Sequence, residues 1–407
     1  MTKGKEIKNR LMTLSQVFNY VPEKERFLSA EIEPKYKFNI IGMGIIGQEH
    51  MRLTSIEGRA SIHGVYDPNP GSIESAKRTF SFAAPDSELI IYDSLEQACH
   101  DPDVDGLILC TPNYTHIDVV RVAAQSGKHI LLEKPMATTI PDAYEIKQIA
   151  DKYPAIFQIG LQYRFKAMYV EAIHEVLERK SIGDVKLINI SEHRLPFLDK
   201  VNQWNKFSEY SGGTLVEKCC HFFDLLNLFA QSRPKRVFAT GSMAVNFLDF
   251  EHKGKKSDIL DNAFVTVDYE NGVRAGFNLC MFSSMFFEEI VVCGDEGRLS
   301  GFENEDFMPG PRIKTQLEIS RGENFPSRKS TPSYPTFLES SGHSGSTFVE
   351  HVAFMNQIEG IPTSTASAEE GFWSIVVGAA AEESVKTGQP VMVDELLKQN
   401  GLNPSVL

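Results

Sequence analysis

The stretch Gly42-Met43-Gly44-Ile45-Ile46-Gly47 constrains this chain more than any other, because three glycines at that spacing directly after an apolar run admit few backbone courses. Residues 38–41 read as a buried strand, and the residues after Gly47 have helical period. Gly42 permits a tight turn, Gly44 lets a pyrophosphate approach the backbone, and Gly47 lets the helix pack closely on the strand. The helix N-terminus, with the amides of Ile45 and Ile46, then offers the positive end of its dipole. Asp67 ends the next strand-like run, about 20 residues further on, where a carboxylate accepts hydrogen bonds from both hydroxyls of an adenosine ribose. It would repel a 2′-phosphate, and no Arg or Lys follows in Asp67-Pro68-Asn69-Pro70-Gly71. The unit is expected to take NAD in preference to NADP, through Gly42, Gly44, Ile45, Ile46, Gly47 and Asp67.

Short apolar runs at 38–41, 62–66, 89–92, 106–110, 129–132 and 156–159 alternate with helical segments such as 115–125 and 141–153. That rhythm predicts a Rossmann-type, doubly wound parallel sheet over residues 36–162. Residues 1–35 form a charged lead-in, expected as an N-terminal arm. From 163 to 407 helices come first, then alternating or β-branched runs at 237–244, 262–269, 273–280, 286–293 and 297–301. These predict a C-terminal α+β domain with a large open, mostly antiparallel sheet. Residues 303–342, rich in Pro, Ser and charge, read as a solvated insertion or a loop reaching the active site or a neighbouring subunit. Helices are expected at 346–359 and 368–387, the second packing back on the first domain.

Composition narrows the function. The chain has 41 Lys and Arg against 54 Asp and Glu, a net charge of −13, which disfavours nucleic acid or an anionic membrane surface as partner. No 18-residue apolar run is present, and the first 27 residues lack the apolar core of a signal peptide. The six Cys form no C-x-x-C pair and show no zinc spacing, so no metal site is expected, and reduced thiols in a cytoplasm are.

Two further elements sit where a nucleotide would cross the strand ends: Thr111-Pro112-Asn113-Tyr114-Thr115-His116 and Glu133-Lys134-Pro135. With Tyr163-Arg164-Phe165, and Gly212-Gly213 running to His221 and Asp224, they make the chain resemble the glucose–fructose oxidoreductase, inositol dehydrogenase and MocA (Gfo/Idh/MocA) family over residues 36–393. The resemblance implies an oxidoreductase with a bound nicotinamide dinucleotide, acting on a sugar, cyclitol or related polyol as a homodimer or homotetramer. It places Thr111, Pro112, Asn113, His116, Glu133, Lys134 and Gln162 beside the cofactor. The family's catalytic lysine falls on Lys134, and its D-x-x-x-H pair falls on Glu217 and His221. Here Glu replaces the usual Asp, and the run reads Glu217-Lys218-Cys219-Cys220-His221.

Oxidising a secondary alcohol requires a base for the hydroxyl proton, and histidine suits that task near neutral pH. If one helix carries both, Glu217 and His221 lie at i and i+4, so the carboxylate orients the imidazole. Lys218 borders the same face, and Lys134 is placed to stabilise a developing alkoxide. Tyr163, Arg164, His193, Trp204, Asn205, Lys218 and His343 are the candidate substrate contacts, offering rings and donors that suit a pyranose or cyclitol. A second reading uses the same oxidation transiently, to eliminate a glycosidic bond before hydride returns, with Tyr163, His193 or Lys218 as a second base. A third is a dinucleotide-sensing regulator without turnover.

Overall fold

In the computed structural model, which describes residues 33–84, 87–305, 313–323 and 325–407, the apolar runs near the start form a six-stranded parallel sheet. The predicted arm lies almost wholly outside the described residues. The strands are β1 (Tyr36–Ile41), β2 (Ala60–Tyr66), β3 (Ile90–Ile91), β4 (Gly106–Leu109), β5 (His129–Glu133) and β6 (Phe157–Gly160), in the order β3-β2-β1-β4-β5-β6. Between them run α1 (Ile45–Glu57), α2 (Pro70–Ala83), α3 (Leu95–His100), α4 (His116–Ala123) and α5 (Ile140–Ala150). Local chemistry sets the helix starts: the Asn69 side chain caps α2 with Pro70 in its first turn, and Thr139 caps α5. The strand order reverses between β1 and β4, so the carboxyl ends of β1, β4 and β5 open on one crevice.

The second sheet has nine strands, in the order β16-β15-β14-β13-β7-β12-β11-β8-β17. They are β7 (Val185–His193), β8 (Pro234–Ser242), β11 (Asn262–Tyr269), β12 (Arg274–Cys280), β13 (Phe286–Gly294), β14 (Arg298–Glu305), β15 (Ile313–Ser320), β16 (Arg328–Ser330) and β17 (Val391–Met392); the short pair β9 (Glu251–His252) and β10 (Lys255–Lys256) stands apart. Every pairing in it is antiparallel except β7 with β12. Residues 303–342 are therefore not simply a solvated insertion. They complete β14 and add β15 and β16 at the sheet edge, because Leu317 and Ile319 alternate inward along 313–320 and are buried. Polar composition hid that alternation.

Six helices connect or cover these strands: α6 (Ala167–Ile173), α7 (Ser208–Ser211), α8 (Thr214–Glu217), α9 (Cys220–Ala230), α10 (Thr336–Glu339) and α11 (Ser346–Ile358). Two more follow, α12 (Ala368–Thr387) and α13 (Val393–Gln399). Phe222 and Phe223 of α9 pack on Phe277 of β12, so one face of the large sheet is covered. The other face is open, with Phe264 69 % and Leu187 47 % exposed. Helix α12 packs against α9, β8 and α8, and against α5 of the first sheet's layer, so it spans the junction. Among the described residues, no helix is long and apolar enough to cross a membrane.

Two glycines show how closely α12 is fitted. A Cβ on Gly378 would stand 2.8 Å from the Leu215 carbonyl oxygen, whereas one on Gly371 would meet the flexible Met136 Sδ at 2.9 Å. Backbone cannot yield and a thioether can. Gly378→Ala is expected to destabilise the protein by about 1–3 kcal/mol, and Gly371→Ala by less than about 1 kcal/mol. Urea unfolding measures both, and equal effects would contradict the close α12–α8 crossing.

Candidate active site

The crevice begins at the glycine turn. Gly42 has φ +92°, and a Cβ there would lie 2.7 Å from the Cys110 backbone; at Gly47 it would lie 2.1 Å from the Gly42 carbonyl oxygen. At Gly44 it would meet no protein atom within 4 Å, so open space stands above the N-terminus of α1. Asp67 is fixed over this turn. Its Oδ2 accepts from the Met43 amide at 2.7 Å and its Oδ1 from the Asn69 amide at 2.8 Å, leaving lone pairs free on both oxygens. Thr111, Pro112 and Asn113 form the turn after β4, and the His116 ring nitrogens lie 2.8 Å from Pro135 O and 3.0 Å from Thr111 O. His116 thus ties two loops together.

Glu133 ends β5 and turns inward. Burial opposes its ionisation, but the His50 ring at 2.9 Å and the nearby Lys134 outweigh burial and hold its carboxyl below the usual range. Its Oε2 accepts from the Lys134 amide at 3.0 Å, which anchors the backbone of the lysine that follows. His50, Glu133 and Glu350 bring ligand atoms within 4.8 Å of one another, all buried. Burial, then Glu133 and Glu49, push the Glu350 carboxyl well up.

Lys134 reaches across to the second domain, its Nζ donating to the backbone oxygen of Glu217 at 3.4 Å. The expected carboxylate–imidazole pair does not form. Glu217 is the last residue of α8 and His221 lies in α9, and the break at Lys218-Cys219 removes their i, i+4 relation. The extra methylene of Glu217 carries its carboxylate to Lys200 Nζ at 3.0 Å instead. Burial alone would raise the Glu217 pKa; Lys200, Lys134 and Lys218 bring it down to about 2. His221 stacks on Tyr163, centroids 4.0 Å apart and planes 7° from parallel. Burial, then Lys134 and Lys218, push the imidazole pKa well below its usual value, so the ring is neutral. Its Nδ1 has no hydrogen-bond partner among the described residues.

Lys218 donates to the Tyr163 hydroxyl at 2.8 Å and lies 3.0 Å from Glu192 Oε1. Glu192 Oε2 has no hydrogen-bond partner among the described residues. Burial and the nearby Glu288 and Glu192 push the Tyr163 phenol far up, so it keeps its proton. Gln162 is buried with Oε1 unpartnered. Trp204 lies under Lys200 Nζ, 4.4 Å from its ring centroid, and Asn205 donates to Leu198 O at 3.0 Å, bracing the same loop.

Two of the expected substrate contacts, Arg164 and His193, are placed elsewhere. Arg164 pairs with both oxygens of Asp224, at 2.6 and 2.5 Å, and with Glu370 at 2.8 Å. A guanidinium held by two carboxylates inside the domain junction has no free fork for a ligand. His193 follows Glu192 by one residue, so strand alternation turns it to the open face of the sheet, toward Asn278 and Phe287. His343, at φ +45°, is held by Glu49 of α1 at 2.7 Å, beside the cofactor helix. Sequence reasoning missed Lys200 and Glu192. Glu192, a charge on the same strand alternation as the buried Ile188 and Ile190 of β7, was the available signal; Lys200 sits in a loop with none.

Residues 36–161 match the family described as oxidoreductase family, NAD-binding Rossmann fold, and residues 174–393 match oxidoreductase family, C-terminal alpha/beta domain. The chain is 26 % identical over 364 residues to the oxidoreductase YrbE of Bacillus subtilis, covering 88 % of this chain and 97 % of that one. It is 22 % identical over 364 residues to a myo-inositol 2-dehydrogenase of Thermotoga maritima, covering 89 % and 99 %. The structure of a levoglucosan dehydrogenase in complex with NADH aligns with a TM-score of 0.72 at 17 % identity, over 88 % of this chain and 99 % of that one; at that identity the likeness is one of fold.

The contrast between Gly44 and Gly47 is testable. Gly44→Ala should leave the melting temperature unchanged and weaken dinucleotide binding at least about tenfold, because its methyl fills the approach to the helix amides. Gly47→Ala should lose about 1–3 kcal/mol of stability through its clash with Gly42. Calorimetric titration with NAD and NADH checks the first. Unchanged affinity in Gly44→Ala would move the pyrophosphate off this turn.

Proposed function

The chain belongs to the Gfo/Idh/MocA oxidoreductase family, and from that premise we propose that it is an NAD-dependent dehydrogenase moving hydride between nicotinamide and a secondary hydroxyl of a sugar, glycoside or cyclitol. One observation carries the reading: Lys134 from the first domain meets a neutral His221 and an ionised Glu217 from the second. Family relatives with printed activities include a myo-inositol 2-dehydrogenase and a 1,5-anhydro-D-fructose reductase, which supports a cyclitol or sugar here. The unpartnered atoms support it too. Among the described residues Glu217 Oε2, Glu192 Oε2 and Gln162 Oε1 are buried acceptors without donors, and a polyhydroxyl ring supplies donors in number.

In this reading the nicotinamide, when bound, accepts the hydride, and the chain's residues manage the proton and the charge. His221 takes the hydroxyl proton, being neutral and held flat by Tyr163. Lys134 donates to the reacting oxygen and stabilises it as negative charge develops. Glu217, kept anionic by Lys200, balances Lys134, and Lys218 lowers the basicity of His221 from the far side. Gly42, Gly44, Ile45, Ile46, Gly47, Thr111, Pro112, Asn113, His116, Glu133 and Gln162 would frame the dinucleotide. Asp67 would hold the adenosine ribose and select NAD over NADP.

We assign residues 36–162 to cofactor binding, residues 163–407 to substrate and assembly, and residues 1–35 to a separate arm. The open face of the second sheet would join copies into a homodimer or homotetramer. The substrate is a small carbohydrate or polyol, and the compartment the cytoplasm.

Lys134→Ala and His221→Ala should each lower kcat/KM by about 100-fold or more, with NADH affinity within about twofold of the parent. Turnover within threefold would sink the mechanism. A depressed pKa means that the unprotonated base persists as pH falls, so kcat/KM for oxidation should stay flat down through pH ~6.5; an acid limb centred at or above that value would contradict the neutral His221. Asp67→Ser should raise the NADP-to-NAD ratio of kcat/KM at least about tenfold, since a like-charge clash is removed. An unmoved ratio would take cofactor selection away from Asp67.

A further inference from the structure

We propose that the site takes a glycoside, in which the oxidised ring carries a second sugar ring stacked on a platform formed by Tyr114 and Tyr210. The inference rests on the dehydrogenase reading and names the substrate class of that same site.

The two tyrosines come from different domains. Tyr114 stands in the turn Asn113–Thr115, directly after Thr111 and Pro112 at the end of β4, whereas Tyr210 belongs to α7 of the second domain. Their ring centroids are 5.1 Å apart with the planes tilted 54° to form an angled cradle, and they remain 43 % and 39 % exposed. Both are braced from behind. The edge of Trp204 meets Tyr114 with centroids 6.4 Å apart, and Lys255 Nζ lies 5.7 Å from the Tyr210 ring. Braced rings with an open face offer contact area with little further loss of side-chain freedom.

The platform is continuous with the reacting groups. Lys200 links the two, its Nζ 4.4 Å from the Trp204 centroid and 3.0 Å from Glu217 Oε1. From the Glu217 carboxylate to the Tyr114 ring the path is one ammonium and one indole, in steps of 3.0, 4.4 and 6.4 Å. A substrate no larger than one ring, seated at Lys134 and His221, leaves Tyr114 and Tyr210 uncovered. Single exposed apolar residues are ordinary, but a paired aromatic face beside a polar, donor-hungry pocket is a concentrated feature. Leu198 and Val201, 64 % and 46 % exposed, belong to the loop that also carries Lys200 and Trp204. The matching ligand surface is rich in C–H, with hydroxyls at its rim. The face of a second pyranose has that form, and so does an aryl aglycone; the polar rim of Lys200 and Lys255 favours the sugar.

The experiment uses the full-length enzyme saturated with NAD. It compares kcat/KM for a monosaccharide, a disaccharide bearing the same oxidised ring, and the 4-nitrophenyl glycoside of that ring, in the parent, Tyr114→Ala and Tyr210→Ala. The disaccharide should be preferred in the parent, and each variant should lose about threefold to tenfold of that preference, the range of one aromatic contact. Monosaccharide turnover should change less than about twofold. The chain has two Trp, so Trp373→Phe isolates Trp204, whose fluorescence should respond to the disaccharide in a Tyr114-dependent way. No preference in a parent that oxidises the monosaccharide overturns the platform and leaves the dehydrogenase reading standing. A Tyr114-dependent fluorescence response without hydride transfer supports the platform while the dehydrogenase reading fails. Preference shown only by the nitrophenyl glycoside overturns the sugar occupant. A shift of oligomeric state in either variant, seen by light scattering, overturns the proposal by assigning the rings to a contact between copies.

Discussion

A buried charge must be matched by an opposite one, and that requirement organises this protein. Arg164 is held by Asp224 and Glu370 within the second domain, and Lys166, buried deeper, lies 2.7 Å from both Glu288 and Glu303. Lys218 has Glu192, and Lys200 has Glu217. Burial works against ionisation of Lys166, yet the paired carboxylates more than reverse it and raise its pKa. Against this background Lys134 is distinct. Among the described residues its ammonium has a backbone carbonyl at 3.4 Å for a partner, which leaves donor capacity for a ligand oxygen.

The same pairings explain the state of His221. In many sites a carboxylate fixes a histidine through its ring N–H and favours the charged form. Here the carboxylate nearest in sequence has gone to Lys200, and a stacked tyrosine fixes the ring plane instead. Cations flank it on two sides. An imidazole oriented by stacking and surrounded by lysines is a base that is already unprotonated, which suits abstraction of a hydroxyl proton. The replacement of Asp by Glu in the D-x-x-x-H pattern is thus tied to a rearranged charge network, with Lys200 as its counterpart.

The glycine turn and the E-K-P turn meet through the layer beneath them. His50, in the helix that opens at Gly44, touches Glu133, and Glu133 holds the Lys134 amide. His50 Nδ1 also lies 2.7 Å from His351 Nε2 of α11, so the cofactor helix, the lysine loop and a helix from the far end of the chain share one buried polar cluster. Networks of this kind transmit position well, because no member can move without exposing an unpaired polar atom.

Much of the first domain was legible in the sequence. A turn that only glycine can make, a strand with period 2 and a helix with period 3.6 depend on residues a few positions apart, and six runs of this kind foretold six strands. The second sheet was legible where alternation was strong and hidden at 313–330, where polar residues on the exposed side masked the inward Leu317 and Ile319. The resemblance to the family pointed to Lys134, Glu217 and His221. Their partners were not readable, since Arg164 finds Asp224 sixty positions away and Lys218 finds Tyr163 fifty-five positions away. The one-residue step from Glu192 to His193 decides which side of a sheet each serves, and the helix break at Lys218-Cys219 decides which carboxylate reaches which cation. Local chemistry along the chain determined the elements and the residues able to react. Tertiary structure alone decided which of them pair, because burying a charge selects its partner by distance in space and not by distance in sequence.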